Sequence, residues 1–333
     1  MVNHKLKIFM LYLSLICVAS PLAGLAETKK FTLHAPAHHQ ARPTGKFSLV
    51  GIPQLRGARI SEIRIDDAVL MLPSGALVRG YDYRKKDNIV IGVGNGLTNV
   101  SLTSVKTLSN NELELVALFE KDRQPVTPLS KQVAVFDLEN FDYLNWSFKN
   151  HSRKNKSLAV YVVGDGSSSM ESVFPTLKAS SKDFFLSMPD GVACSLNTFN
   201  SQLHQISKQP EDCKKAAARV DDMVLEGGTT DIYGALKKIY EIAAQDGFSH
   251  SLVLVLSDAQ QVGDSSKQDA LRAKKQVNGK TMVLGLGHFR KDDLVGLADV
   301  QSSVGQHVKD DIKNYFKNQS LFVKGLEYIH VKR

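Results

Sequence analysis

The sequence predicts an α/β fold with a doubly wound, mainly parallel sheet in its second half, preceded by a β-sandwich. From residue 158 onward, apolar runs that suit buried strands alternate with amphipathic stretches that suit helices. Such alternation is typical of a parallel sheet covered on both faces. Between residues 47 and 150, short runs of alternating apolar and polar residues are separated by turn residues, a rhythm typical of a β-sandwich.

The N-terminus predicts a secretory signal peptide. Lys5 and Lys7 precede a short apolar run at 8–19, and the small residues Gly24 and Ala26 follow. The run is too short to cross a bilayer comfortably, so we expect cleavage after Ala26 and export to the periplasm, the medium or the cell surface. No other stretch is apolar and long enough for a membrane span.

The chain therefore divides into four segments: a signal peptide at 1–26, a polar leader at 27–46, a β-sandwich domain at 47–150 and an α/β domain at 151–333. The polar and basic stretch at 149–157 marks the boundary between the two large domains. The formal net charge is +8 without a dense Lys/Arg block, so we expect no nucleic-acid partner. The charge favours acidic partners at long range.

Three cysteines are present, and one of them lies in the signal peptide. Cys17 could indicate a lipoprotein, but the preceding Ile16 is too large for the usual lipid-attachment motif. Cys194 and Cys213 remain after cleavage. In an oxidising compartment they could form one disulfide, or they could be two separate core residues.

The elements of the first domain follow from its alternating runs and turns. The strand candidates are 63–65, 89–91, 100–102, 113–119 and 133–135. Turn residues separate them at 73–75, 94–96, 110–111 and 122–125. Trp146, the sole tryptophan, is expected to anchor a core or a domain interface.

The elements of the second domain follow from the change of period. The strand candidates are 158–163, 192–199, 252–257 and 281–286. The helical patterns lie near 171–187, 232–245, 266–277, 291–299 and 310–322. In such folds ligands bind at the carboxyl ends of the strands.

Oxygen-bearing side chains collect at these strand ends and helix starts. Asp165 and three serines at 167–169 follow the first strand, Thr229 and Thr230 open a helix, and Asp258 closes the strand at 252–257. Each group alone could be a helix cap. Together they offer carboxylates and hydroxyls, which suit Mg²⁺, Mn²⁺ or Ca²⁺ and not Zn²⁺ or Cu²⁺.

These residues carry a resemblance to a known family. The run at 165–169 matches the D-x-S-x-S signature of von Willebrand factor type A (VWA) domains, Thr230 matches the threonine of their second loop, and Asp258 matches the aspartate closing their central strand. The resemblance covers 156–333. It departs from the family at Gly164, where a bulky apolar residue is commoner.

The resemblance implies a metal ion-dependent adhesion site and a Rossmann-like fold. Its ligands would be Asp165, Ser167, Ser169, Thr230 and Asp258. The cofactor would be Mg²⁺ (or Mn²⁺ or Ca²⁺), and the partner a protein with an exposed Asp or Glu. A second departure, Ala259 in place of a frequent glycine, supplies no ligand. Residues 113–137 also resemble immunoglobulin-like strands that precede such domains in some secreted bacterial proteins.

Two other functions are compatible with parts of this pattern. A divalent ion could pin the three loops without any partner. The order of a serine at 167–169, Asp258 and His288 also matches that of serine hydrolases, but the G-x-S-x-G elbow is missing and a triad would leave Asp165 and Thr230 unexplained. We therefore expect a binding protein and not an enzyme.

Overall fold

The computed structural model describes residues 29–33, 47–50, 60–65, 68–71, 89–94, 99–122, 124–130, 133–137, 142–258, 261–286 and 291–332. The strands of the first part are β1 Lys29–Leu33, β2 Phe47–Val50, β3 Ile60–Ile65, β4 Ala68–Met71, β5 Ile89–Gly94, β6 Asn99–Ser109, β7 Glu112–Lys121, β8 Gln124–Pro125, β9 Val133–Asp137, β10 Asp142–Tyr143 and β11 Asn145–Lys149. The strands of the second part are β12 Leu158–Asp165, β13 Ala193–Phe199, β14 Leu203–Gln205, β15 Glu211–Asp212, β16 His250–Ser257, β17 Gly279–Gly285, β18 Val300–Ser303 and β19 Leu326–Lys332. The α-helices are α1 Phe174–Leu186, α2 Cys213–Ala218, α3 Ile232–Asp246, α4 Lys267–Lys274 and α5 Val308–Lys324.

The second part of the chain is a doubly wound α/β domain. Its sheet has the order β14-β13-β12-β16-β17-β18, and β15 pairs with β13. Strands β12, β13, β16, β17 and β18 run parallel, while β14 and β15 are antiparallel to β13. Strands β12 and β16 are buried along their whole length, as expected for central strands covered by helices on both faces.

Two hydrophobic clusters cover the two faces of this sheet. One packs α1, α2 and α5 against it, and the other packs α3 and α4 against it. The mainly parallel sheet is thus confirmed, and the four strands expected at 158–163, 192–199, 252–257 and 281–286 are present with bounds shifted by a few residues. The carboxyl ends of β12 and β16 therefore lie side by side.

One expected helix is wrong. The stretch 291–299 holds only a short 3₁₀ turn at Lys291–Leu294, and the edge strand β18 follows it. Gly296 adopts a positive φ of 83°, which an α-helix cannot accommodate. The brief helix α2 had no counterpart among the helical patterns.

Two further sheets contain the strands of the first part. One has the order β1-β3-β4-β2-β5-β9-β10, and the other β11-β19-β7-β6. The last strand, β19, thus pairs with β7 and β11 and not with the α/β sheet. Residues of both sheets share one hydrophobic cluster, in which Trp146 is buried with its ring 4.9 Å from that of Phe148. The β-sandwich and the domain boundaries drawn from the sequence stay predictions.

A disulfide joins Cys194 in β13 to Cys213 at the start of α2, with 4.8 Å between their Cα atoms. Both side chains are buried in the cluster beneath α1. The pairing that the sequence left open is therefore present. Within the described ranges, no helix combines the length and apolarity that crossing a bilayer would require.

Candidate metal centre

The two predicted carboxylate ligands lie at the ends of neighbouring strands. Asp165 is the last residue of β12, and Asp258 follows the last residue of β16. The two strands are paired in parallel, with Gly164 opposite Leu256. Both carboxylates are buried, and the charge of Asp258 acts on Asp165.

The carboxylate of Asp165 is held in one orientation by two donors. The Ser167 N–H donates to Oδ1 at 2.9 Å, and the Ser257 hydroxyl donates to Oδ2 at 2.5 Å. Asp165 is 0% exposed. Burial raises the pKa of Asp165 and Asp258 raises it further, while the two serines oppose that rise.

The three serines at 167–169 have different positions. Ser167 is buried, and its Oγ lies 3.1 Å from the Oγ of Ser169, which is exposed. Ser168 instead accepts a hydrogen bond from the Gly228 N–H at 3.1 Å. The outer two serines thus contact each other in the loop after Asp165, and the middle one joins this loop to the next.

Two glycines bring the second loop onto the first. Gly227 and Gly228 have φ values of 73° and 81°, a backbone region that favours glycine. The Gly227 N–H donates to the Gly166 carbonyl at 3.0 Å. Beyond them Thr229 is exposed and Thr230 is buried.

Asp231 lies next to Thr230 but has a structural role. Its carboxylate accepts hydrogen bonds from the Gly234 N–H at 3.0 Å, from the Gln261 amide at 2.9 Å and from the Ser265 hydroxyl. It is the N-cap of α3, and these donors occupy its oxygens. The helix start, and with it Thr230, is thereby fixed.

Packing explains one departure from the family pattern. A Cβ atom on Gly164 would lie 2.9 Å from a methyl group of Leu177 in α1 and 3.3 Å from that of Met223. These side chains fill the space of a larger residue. Ala259 and His288 lie outside the described residues.

The sequence pattern does not single out Ser257, which is only the last residue of the predicted strand 252–257. In the structure its hydroxyl donates to the carboxylate of Asp165 on the neighbouring strand. The available signal was its position directly before Asp258. Strand pairing, which brings Ser257 beside Asp165, was needed to recognise its role.

The donor set fits a hard divalent cation. The described part of the chain holds no group of three or more His, Cys, Asp or Glu side chains placed for a metal, so hydroxyls would have to complete the ligand set. Two buried carboxylates near one another repel, and a cation would relieve that repulsion. Oxygen ligands of this kind suit Mg²⁺, Mn²⁺ or Ca²⁺.

Comparisons with known proteins identify the α/β domain. The family model of the von Willebrand factor type A domain matches residues 159–321. Residues 159–321 are therefore a VWA domain. A search of curated protein sequences gave no match.

Solved structures with a similar fold come from several sources. Proximal thread matrix protein 1 from the mussel byssus is 17% identical with a TM-score of 0.43, and the match covers 56% of this chain and 49% of that one. A von Willebrand factor type A protein from Catenulispora acidiphila is 11% identical with a TM-score of 0.45, and the match covers 73% of this chain and 51% of that one. Another structure of the mussel protein, described as having a zinc-occupied MIDAS motif, is 16% identical with a TM-score of 0.44, and the match covers 56% of this chain and 49% of that one. The matches span about half the length of these proteins, at identities too low to transfer a ligand or a partner.

Proposed function

We propose that the VWA domain at residues 159–321 is a metal-dependent protein-binding module that captures an exposed Asp or Glu of a partner protein. The observation that carries this proposal is a pair of buried carboxylates, Asp165 and Asp258, at adjacent strand ends. In the loops that follow β12 and precede α3, the small residues Ser169 and Thr229 are exposed. Acids in such a position favour a bound cation, and the small residues leave room for a partner.

Five side chains would hold the cation: Asp165, Ser167, Ser169, Thr230 and Asp258. A bound Mg²⁺, Mn²⁺ or Ca²⁺ would supply positive charge and a coordination position able to accept an oxygen of the partner's carboxylate. The alternative is a divalent ion that only holds the loops together and binds no partner. The affinity-capture experiment below distinguishes this alternative from the proposal.

Other residues of the chain orient this site. Ser257 and the Ser167 N–H fix the two oxygens of Asp165. The Ser168–Gly228 hydrogen bond joins the first and second loops. Pre-ordered ligands need less reorganisation when a cation binds, so these bonds should raise its affinity.

Export is the second part of the proposal. Residues 1–26 would be the signal peptide, and the Cys194–Cys213 disulfide suits an oxidising compartment. The mature chain would begin at Glu27 and act in the periplasm, the medium or at the cell surface. Intact mass of the exported protein tests this: a chain that keeps residues 1–26, or carries a lipid on Cys17, would overturn it.

Affinity capture tests the binding mode. The immobilised wild type and an Asp165→Ala variant would be exposed to the native cell envelope or medium, with Mg²⁺ and with EDTA. We expect partner proteins to bind the wild type in Mg²⁺ alone, and a partner's essential residue to be an Asp or Glu whose amide replacement abolishes binding. A partner held equally well in EDTA would contradict the proposal and leave the metal a structural pin.

The chain is also proposed not to be an enzyme. A fluorophosphonate probe would label Ser167 or Ser169 if either were an activated nucleophile. We expect no label and no ester hydrolysis. Stoichiometric labelling that His288→Ala prevents would show a hydrolase instead.

A further inference from the structure

A groove lies between helices α1 and α5 and has no part in the metal centre. Its volume is about 430 Å³. Beneath it the rings of Phe184 and Phe316, each 2% exposed, meet with their centroids 5.4 Å apart. The Ser187 and Ser320 hydroxyls, 2.8 Å apart, join the two helices along the groove. These contacts hold the two walls of the groove together.

One exposed leucine lines the groove. Leu321 of α5 is 44% exposed. A single exposed leucine is common on protein surfaces. This one shares the groove with three lysines, so a partner could cover its apolar surface while facing their charges.

The rim of the groove is positively charged. Lys313, Lys317 and Lys324 of α5 line it, against Asp183 of α1. Lys313 approaches Asp310 only to 4.0 Å, and both side chains are mostly exposed, so this pair neutralises little. Among the described residues, neither of the other two lysines forms an ion pair. The groove therefore favours an anionic occupant.

We propose that this groove binds an acidic amphipathic helix of another protein. The lining residues of α5 run from Lys313 to Lys324, about 16 Å or three helical turns. A concave channel between two helices accommodates a third helix, whereas a lipid surface is flat. The partner's apolar side chains would cover Leu321 and the apolar stems of the lysines, above the buried rings of Phe184 and Phe316, and its carboxylates would face the lysine ammonium groups. This proposal does not depend on the metal centre.

Peptide selection tests the proposal directly. A library of random 14-residue peptides would be selected on the full chain in EDTA, so that capture of acidic peptides through a cation is excluded. We expect enriched peptides to combine Leu or Phe at helical spacing with Asp or Glu. Their dissociation constants, measured by fluorescence anisotropy, should rise at least about tenfold in a Lys317→Glu/Lys324→Glu variant, since two attractive charges become repulsive.

A matched variant controls for net charge. Lys208→Glu/Lys275→Glu reverses two exposed lysines that do not line the groove and should leave peptide affinity unchanged. Circular dichroism checks that both variants fold. The proposal is overturned if no peptide is enriched, or if enriched peptides bind both variants equally well. Lysine-dependent sedimentation with phosphatidylglycerol vesicles, without peptide binding, would point to a membrane. Self-association that Lys317→Glu/Lys324→Glu abolishes would point to a second copy of the chain.

Discussion

The two ends of the α/β sheet carry opposite kinds of titratable group. At the carboxyl end, Asp165 and Asp258 are buried side by side. At the amino end, His250 begins β16 and Lys280 is the second residue of β17. Strand β16 thus begins at the buried imidazole of His250 and ends at Ser257, whose hydroxyl donates to the buried carboxylate of Asp165.

The two ends differ in what covers them. The amino end is covered by the segment before β12 and by the last strand, where the His151 ring contacts the Leu326 carbonyl at 2.9 Å. Lys280 lies with its ammonium 5.8 Å from the Phe322 ring centroid, and burial lowers its pKa. In the loops at the carboxyl end, Ser168, Ser169 and Thr229 are exposed. Buried titratable groups thus occur at both ends of the sheet, and our proposal places a binding site only at the end whose adjoining loops are exposed.

The largest expected effect comes from a substitution at the carboxyl end of the α/β sheet. Asp165→Asn removes one proposed charged ligand while keeping the shape of the side chain. Replacing a residue that only hydrogen-bonds to a metal ligand typically lowers metal affinity about 10- to 100-fold. Replacing a direct ligand should lower the affinity further. We expect the Mg²⁺-dependent rise in melting temperature to vanish, as measured by differential scanning calorimetry.

A carboxylate near the amino end provides the control. Asp246 accepts the Tyr161 hydroxyl at 2.8 Å. Asp246→Asn should leave the Mg²⁺-dependent shift intact, whatever it does to the melting temperature itself. Equal loss of the shift in both variants would show that it reports general stability and not the proposed site.

The second effect removes the disulfide near the amino end of β13. A Cys194→Ala/Cys213→Ala variant frees a loop with a sequence separation of 19. The free energy of unfolding in urea should fall by about 3 kcal/mol, because the unfolded chain is less restricted. Mg²⁺ affinity should stay within about threefold, since the ligands lie at the opposite end. A parallel loss of affinity would show that the two ends are not independent.

The third effect is a pH dependence of stability from His250. Burial, then Lys280 and His151, lower the pKa of His250 to about 3. Between pH about 6.5 and about 3 the unfolded chain binds a proton at His250 that the folded chain does not, so stability falls as pH falls. In His250→Leu this slope should be shallower by up to about 1.4 kcal/mol per pH unit.

Urea unfolding between pH 7 and pH 4.5 measures that slope. Neither ring nitrogen of His250 has a hydrogen-bond partner among the described residues, so leucine loses no such bond there. An unchanged slope in His250→Leu would mean that His250 takes up its proton over the same pH range in the folded and the unfolded chain.

The smallest effect tests the choice between adjacent threonines. Thr230→Ala removes one proposed neutral ligand oxygen and should weaken Mg²⁺ binding by about tenfold, less than loss of a charged ligand. Thr229, which is exposed, should tolerate alanine with little change. Isothermal titration calorimetry compares them, and the reverse order would assign the ligand role to Thr229.

The sequence was sufficient for those features that depend on local pattern. Continuous apolar runs predicted the buried strands β12, β13, β16 and β17, and they put Asp165 and Asp258 at strand ends, which the sheet brings side by side. Pairing between distant segments was not visible. The hydroxyl of Ser257 reaches Asp165 only because β12 and β16 are neighbours.

Other features depended on packing that no local pattern encodes. The last strand, β19, has the alternating pattern of any half-buried strand, which does not specify a partner. Its partner β7 lies about two hundred residues earlier in the chain. The expected helix at 291–299 failed because Gly296 takes a left-handed conformation, which residue type permits but does not require. The groove between α1 and α5 arises from the distance between two helices, which periodicity does not fix.

Manganese binding tests the central claim most directly. Electron paramagnetic resonance counts free Mn²⁺ as it is added to EDTA-treated, desalted protein, and Mg²⁺ and Zn²⁺ can then be tested as competitors. We predict one bound Mn²⁺ per chain, displaced by Mg²⁺ and absent in Asp165→Asn and in Asp258→Asn. Mn²⁺ that stays entirely free at millimolar concentration, or binds equally well to both variants, would contradict a cation site at the carboxyl end of the sheet.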